Sequence, residues 1–72
     1  MEQTKELRFY NRLKVVLAEK RVTNKWLAKE IGKDPTTVSK WCTNSSQPSI
    51  ELLFKIADAL KMDVKDLLNS NK

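Results

Sequence analysis

The chain has 72 residues, 14 basic against 9 acidic side chains for a net charge of +5, one cysteine, one glycine, two prolines and no histidine. That length allows one domain with a small core, and such scaffolds rely on disulfides, a metal, very regular helix packing or a second subunit. One thiol excludes an internal disulfide, and without histidine or a second cysteine a zinc site lacks donors. Helix packing and dimerisation remain.

Residues 1–8 alternate polar and charged types and are expected to form a flexible segment, followed by a domain over residues 9–69 and a tail at 70–72. Helical periodicity predicts a first helix over residues 9–20. Leu13, Val16, Leu17 and Lys20 share a face, Phe9 and Tyr10 lie one turn earlier, and Val15 falls off the stripe. Thr23 reads as an N-cap whose hydroxyl accepts an orphan amide of a second helix at Asn24–Ile31. Leu27, Ala28 and Ile31 face inward there, and Gly32 closes the helix in the left-handed conformation. Trp26 lies about 145° from that inner stripe at 100° per residue, so it is expected on the surface, covered by Leu7, Phe9 or Tyr10 or used to bind a partner.

Asp34 as N-cap and Pro35 in the first turn open a third helix over residues 35–43. Val38, Trp41 and Cys42 fall on its inner face, and Thr36, Lys40 and Thr43 on the opposite face with Thr37 at the edge. The helix should end near Asn44, a residue type that tolerates the left-handed region. A polar loop then leads to Ser49, the cap of a fourth helix over residues 50–61. Leu53, Ile56, Ala57 and Leu60 form its core stripe, flanked by Leu52 and Phe54. Asp63 begins a last helix, with Asp66 placed for a capping box and Val64, Leu67 and Leu68 inward. No Val/Ile/Thr run alternates with period two, so the expected fold is all-α, a compact five-helix domain.

Catalysis finds little support in these residues. A nucleophile needs a base, and the chain has no histidine to activate its hydroxyls or thiol. Cys42 sits on an apolar face and reads as a small buried hydrophobe. Each carboxylate fits a helix face or a cap, and a single glycine cannot build a phosphate-cradling loop. The expectation is a protein that is not an enzyme and takes no metal, cofactor or small-molecule ligand. The lone thiol suits a reducing cytoplasm. No basic start followed by an apolar run suggests a leader, and no stretch nears the ~20 apolar residues of a membrane span, so no membrane partner is expected.

The positive charge is uneven. Residues 1–20 carry net +2, residues 21–46 net +3 and residues 47–72 none. The basic two thirds would attract a polyanion, or would serve only as a solvated lysine-rich face. Helices two and three are joined by Gly32, Lys33 and Asp34, the short glycine-containing turn of a helix-turn-helix, whose second helix enters the DNA major groove. The free amides near Thr23 and Asn24 at the start of helix two suit a phosphate.

Leu27 to Trp41, in the order LAKEIGKDPTTVSKW, resembles the helix-turn-helix core of the Xre family, to which phage repressors and Cro proteins belong. Pro48, Ser49, Ile56, Ala57, Leu60 and Leu67 resemble its later helices, so the likeness spans residues 11–68. It implies a five-helix fold, binding to double-stranded operator DNA, and a homodimer on a two-fold site. By position it implies that Thr36, Thr37 and Lys40 read bases, and that Thr23, Asn24, Thr43, Asn44 and Ser45 meet phosphates. The chemistry agrees, since threonine can touch a thymine methyl and lysine favours guanine acceptors. Pro35 replaces a side chain that reads bases in some members. Many members pair an arginine on helix one with a glutamate after the tryptophan. Leu17 and Cys42 stand there instead, which predicts an apolar contact between them. Arg21 replaces a common glycine, which predicts an irregular end to helix one, or one continued by a residue.

The leading reading is thus a sequence-specific, repressor-like transcriptional regulator. The alternative is an antitoxin-like or adaptor module that uses Trp26 and Phe54 to bind a protein partner. RNA binding is a weaker third possibility, since exposed aromatics for base stacking are few. Phe54 on helix four and the Leu67/Leu68 end are the expected dimer contacts.

Overall fold

A computed structural model describes residues 9–69. It places four α-helices in chain order, α1 (Leu13–Lys20), α2 (Asn24–Ile31), α3 (Pro35–Cys42) and α4 (Ile50–Leu60), followed by a single 3₁₀ turn, Val64–Leu67. The expected flexible segment and tail lie outside the described residues, as does Leu7. The all-α class stands, but the fifth helix is corrected to a four-residue 3₁₀ turn. The Asp63 carboxylate accepts the Lys65 amide at 3.2 Å, one residue short of the capping-box position. The Asp66 amide donates to the Asp63 carbonyl at 3.0 Å instead. Asp63 and Lys65 also form an exposed ion pair at 3.6 Å.

The core lies between the helices. Leu13, Val16 and Leu17 of α1 meet Leu27 and Ala28 of α2, Val38 and Trp41 of α3, and Leu53, Ile56, Ala57 and Leu60 of α4. Leu67 of the 3₁₀ turn is 1% exposed and closes the base of this core. Periodicity therefore assigned the inner stripes of α2, α3 and α4, with Ile31 half-buried at the edge. Lys20 and Leu68 are exposed, contrary to expectation. Leu68 is turned out because the chain there is extended and pairs with Asn11 in an antiparallel bridge.

That pairing also corrects the start of α1. Phe9 and Tyr10 are not helical. The Asn69 amide donates to the Tyr10 carbonyl at 2.9 Å and the Arg12 amide to the Leu67 carbonyl at 2.8 Å. The Asn11 side chain then takes the Leu13 amide at 2.9 Å, so the helix opens at Leu13. Phe9 and Tyr10 are left exposed.

Capping follows the expected residues with one exception. Thr23 Oγ1 accepts the Trp26 amide at 3.0 Å, and Ser49 Oγ accepts the Leu52 amide at 3.2 Å. Asp34 occupies the N-cap position of α3 without a side-chain bond. Its carbonyl takes both the Thr37 and the Val38 amides, at 3.0 and 3.2 Å, which leaves the carboxylate in solvent. Gly32 ends α2 at φ 70°. Arg21, Asn44 and Lys61 end the other three helices at φ 59°, 61° and 56°. The end of α1 is therefore neither irregular nor continued: a left-handed arginine closes it with the same pair of backbone bonds that closes α2 at Gly32.

Candidate nucleic-acid interface

Helices α2 and α3 pack closely across the Gly32–Asp34 turn, and the glycine lets the chain reverse there without strain. The reversal sets the N-terminus of α2 beside the outer face of α3. An open groove runs between them, lined by Thr23, Asn24 and Lys25 from α2 and by Pro35, Thr36, Ser39, Lys40 and Thr43 from α3. The α3 residues recur at spacings of three and four, so they form one stripe of the helix. Val38, Trp41 and Cys42 anchor its opposite face in the core.

Five of the eight residues expected to meet DNA line this groove: Thr23, Asn24, Thr36, Lys40 and Thr43. Ser45 is exposed at its end, where its hydroxyl bonds Thr43 Oγ1 at 2.7 Å. Thr43 Oγ1 also donates to the Lys40 carbonyl at 3.2 Å, so both hydroxyls have set orientations. Thr37 is half-buried and lies outside the groove lining. Asn44 is the departure. The residue is 7% exposed and its side chain is turned inward, bonded to the segment ahead of α1. A buried carboxamide cannot also reach a phosphate in solvent, so Asn44 supports the loop from beneath.

Sequence reasoning did not include Lys25 and Ser39. Lys25 follows Asn24 at the start of α2, and Ser39 lies one turn after Thr36, so helical spacing was the signal for it. The groove lining contains two lysines and no carboxylate. Two cations beside the unpaired amides of a helix start give it a positive potential suited to phosphate.

A second, smaller cleft adjoins the groove between α1 and α3, and Leu17 and Cys42 both line it. The Cys42 thiol donates to Asn24 Oδ1 at 3.4 Å, a bond from α3 to the start of α2. Burial pushes the thiol pKa above its ordinary value, partly opposed by the charge of nearby Lys14. Among the described residues, no three of His, Cys, Asp and Glu gather where they could hold a metal ion. No helix among them is long and apolar enough to cross a membrane.

The two residues expected to form a partner surface differ in exposure. Trp26 is half-buried, in a hollow it shares with Lys20, Val22, Ala59, Leu60 and Lys61. The end of α4 covers it, not Phe9 or Tyr10, because α2 and α4 pack side by side. Phe54 is 54% exposed and Ile50, one turn earlier, 69%.

A helix-turn-helix that presents a basic groove free of carboxylates is the architecture of a DNA-binding domain. Residues 12–72 match the Cro/C1-type helix-turn-helix DNA-binding domain family, and the chain belongs to that family. Among solved structures, it is similar to a protein from Bacteroides fragilis described as a candidate DNA-binding protein. The two share 53% identity and a TM-score of 0.82, over 83% of this chain and 97% of that one. No curated protein matches the chain.

Proposed function

We infer that this domain binds double-stranded DNA sequence-specifically and acts as a repressor-like transcriptional regulator, with α3 seated in the major groove. The observation that carries this reading is the groove between the first turn of α2 and the outer face of α3, lined by hydroxyls and two lysines with no carboxylate and open to solvent. Thr36 and Lys40 meet base edges, with Ser39 between them. Thr37, half-buried, reaches the bases only along its exposed edge. Thr23, Asn24 and Lys25 hold the phosphate on one side of the groove, and Thr43 and Ser45 the phosphate on the other. Pro35 contributes shape and no hydrogen bond from its side chain.

Two such domains bind a two-fold site with half-sites about one helical turn apart. The exposed pair Ile50 and Phe54 favours α4 as the dimer contact, joined by Leu68 at 42% exposure. Leu67, at 1% exposure, belongs to the core and takes no part.

The test is selection of sites from random duplex DNA at near-physiological salt, with wild type and Thr36→Ala/Lys40→Ala in parallel. A palindromic motif enriched by wild type and lost in the variant is the expected result. Salt-sensitive binding without enrichment would remove the sequence-specific reading. A protein that stays monomeric on the enriched site would remove the dimer and turn attention to a protein partner at Ile50 and Phe54.

A further inference from the structure

The loop after α3 is held by buried amides that the groove does not use. Asn44 Oδ1 accepts the backbone amides of Tyr10 and Asn11 at 3.0 and 3.1 Å and Gln47 Nε2 at 2.9 Å. Its Nδ2 donates to the Asn11 carbonyl at 3.2 Å. Asn11 is itself 4% exposed. Its Nδ2 donates to the Trp41 carbonyl, in the last turn of α3, at 3.0 Å and to Gln47 Oε1 at 2.8 Å. Side chains thus tie the end of α3 to a segment 33 residues away in sequence.

The backbone does not ask for asparagine at this position. Asn44 has φ 61°, and Gly32 closes α2 with the same pair of backbone bonds. Glycine meets that geometry without strain. The carboxamide therefore serves the clamp and not the turn. The residues on either side of Asn44 are Thr43 and Ser45, whose paired hydroxyls stand at the end of the groove.

We propose that Asn44 is a positioning residue for DNA binding. With Asn11 it fixes the loop in advance, so that the Thr43 and Ser45 hydroxyls meet a phosphate without an ordering cost at the moment of binding. This rests on the DNA-binding reading above. Asn44 itself does not touch the phosphate.

The experiment is a double-mutant cycle on a duplex carrying the enriched site, run well below the melting temperature. It compares wild type, Asn44→Gly, Thr43→Ala/Ser45→Ala and the triple variant. Asn44→Gly keeps the left-handed backbone geometry and removes the carboxamide of the clamp, with glycine's greater backbone freedom as its side effect. It is expected to weaken binding about fivefold, the size of one net hydrogen bond. Thr43→Ala/Ser45→Ala is expected to weaken it by at least as much, and the triple variant no further, because nothing is left to position. A role confined to stability would lower the melting temperature of Asn44→Gly and leave its affinity unchanged, and losses that multiply in the triple variant would mean that Asn44 acts independently of the two hydroxyls. Either outcome overturns the proposal. If Asn44→Gly is unfolded under these conditions, Gln47→Ala removes part of the clamp from an exposed residue and is expected to show the same non-additivity at smaller size. Unchanged affinity in Thr43→Ala/Ser45→Ala overturns the clamp and the phosphate contact of those two hydroxyls and spares the reading of the bases by α3, whereas a wild type without DNA affinity overturns all of it.

Discussion

Replacing Lys61 by glycine should make this domain more stable, although the substitution removes a side chain and adds backbone freedom. All four α-helices close with the same two backbone bonds. In α4 the Lys61 amide donates to the Asp58 carbonyl at 3.1 Å and the Met62 amide to the Ala57 carbonyl at 3.0 Å. The motif needs a left-handed residue, and Lys61 supplies it at φ 56°. A residue with a Cβ pays about 1–2 kcal/mol for that conformation. Glycine avoids the clash and gives back roughly 0.5–1 kcal/mol through its greater freedom in the unfolded chain. The net gain is about 0.5–1 kcal/mol, less what the Lys61 stem contributes by lining the hollow at Trp26. Lys61→Ala isolates the backbone effect, since it loses the same stem and charge but keeps the strain. Glycine should exceed alanine by about 1 kcal/mol, or roughly 4–8 °C of melting temperature for a domain of this size. Thermal unfolding followed by circular dichroism measures this, and urea titration followed by tryptophan fluorescence checks it. DNA affinity should not change, because Lys61 lies outside the groove. If Lys61→Ala is as stable as Lys61→Gly, strain at the helix end is not a significant term in this fold.

Three further outcomes follow from the same geometry. Lys25→Ala should weaken DNA binding evenly across sequences and lower the slope of log K against log salt by about 1, because it removes a phosphate charge and no base contact. Thr23→Ala and Ser49→Ala should each cost about 1 kcal/mol in urea titration through loss of a capping bond, but only Thr23→Ala should also weaken DNA binding, since Thr23 lines the groove and Ser49 does not. Cys42 should make stability fall as pH rises past the ordinary thiol value of about 8.5. Its folded pKa is raised, so the unfolded chain loses the proton first and gains from the rising pH. Unfolding free energy measured between pH 7 and 10 should decline in wild type relative to Cys42→Ala, and parallel curves would remove the thiol from the account.

What local pattern could and could not reveal divides along one physical line. Helix α2 was legible to the residue, because a threonine cap, an amphipathic stripe and a closing glycine all act within a dozen positions. The outer stripe of α3 was legible for the same reason. Once Val38 and Trp41 point inward, helical geometry places Thr36, Lys40 and Thr43 outward, and it could have included Ser39. The errors fall where a partner distant in sequence decides. Phe9 and Tyr10 continue the helical period of α1, yet their backbone is claimed by Asn44 and Asn69. Trp26 lies off its stripe and is covered by α4, which no local count can foresee. Asn44 illustrates the consequence for function. At a loop position with a polar residue, a phosphate contact and a structural anchor have the same local signature. Burial separates them: Asn44 is 7% exposed, its oxygen takes three donors from within the fold and its Nδ2 donates to the Asn11 carbonyl, so the amide lies too deep to meet DNA. On the positioning role proposed above, its influence on binding passes through the neighbours it holds and reaches inward to Asn11, a residue on no helix and far from α3 in sequence.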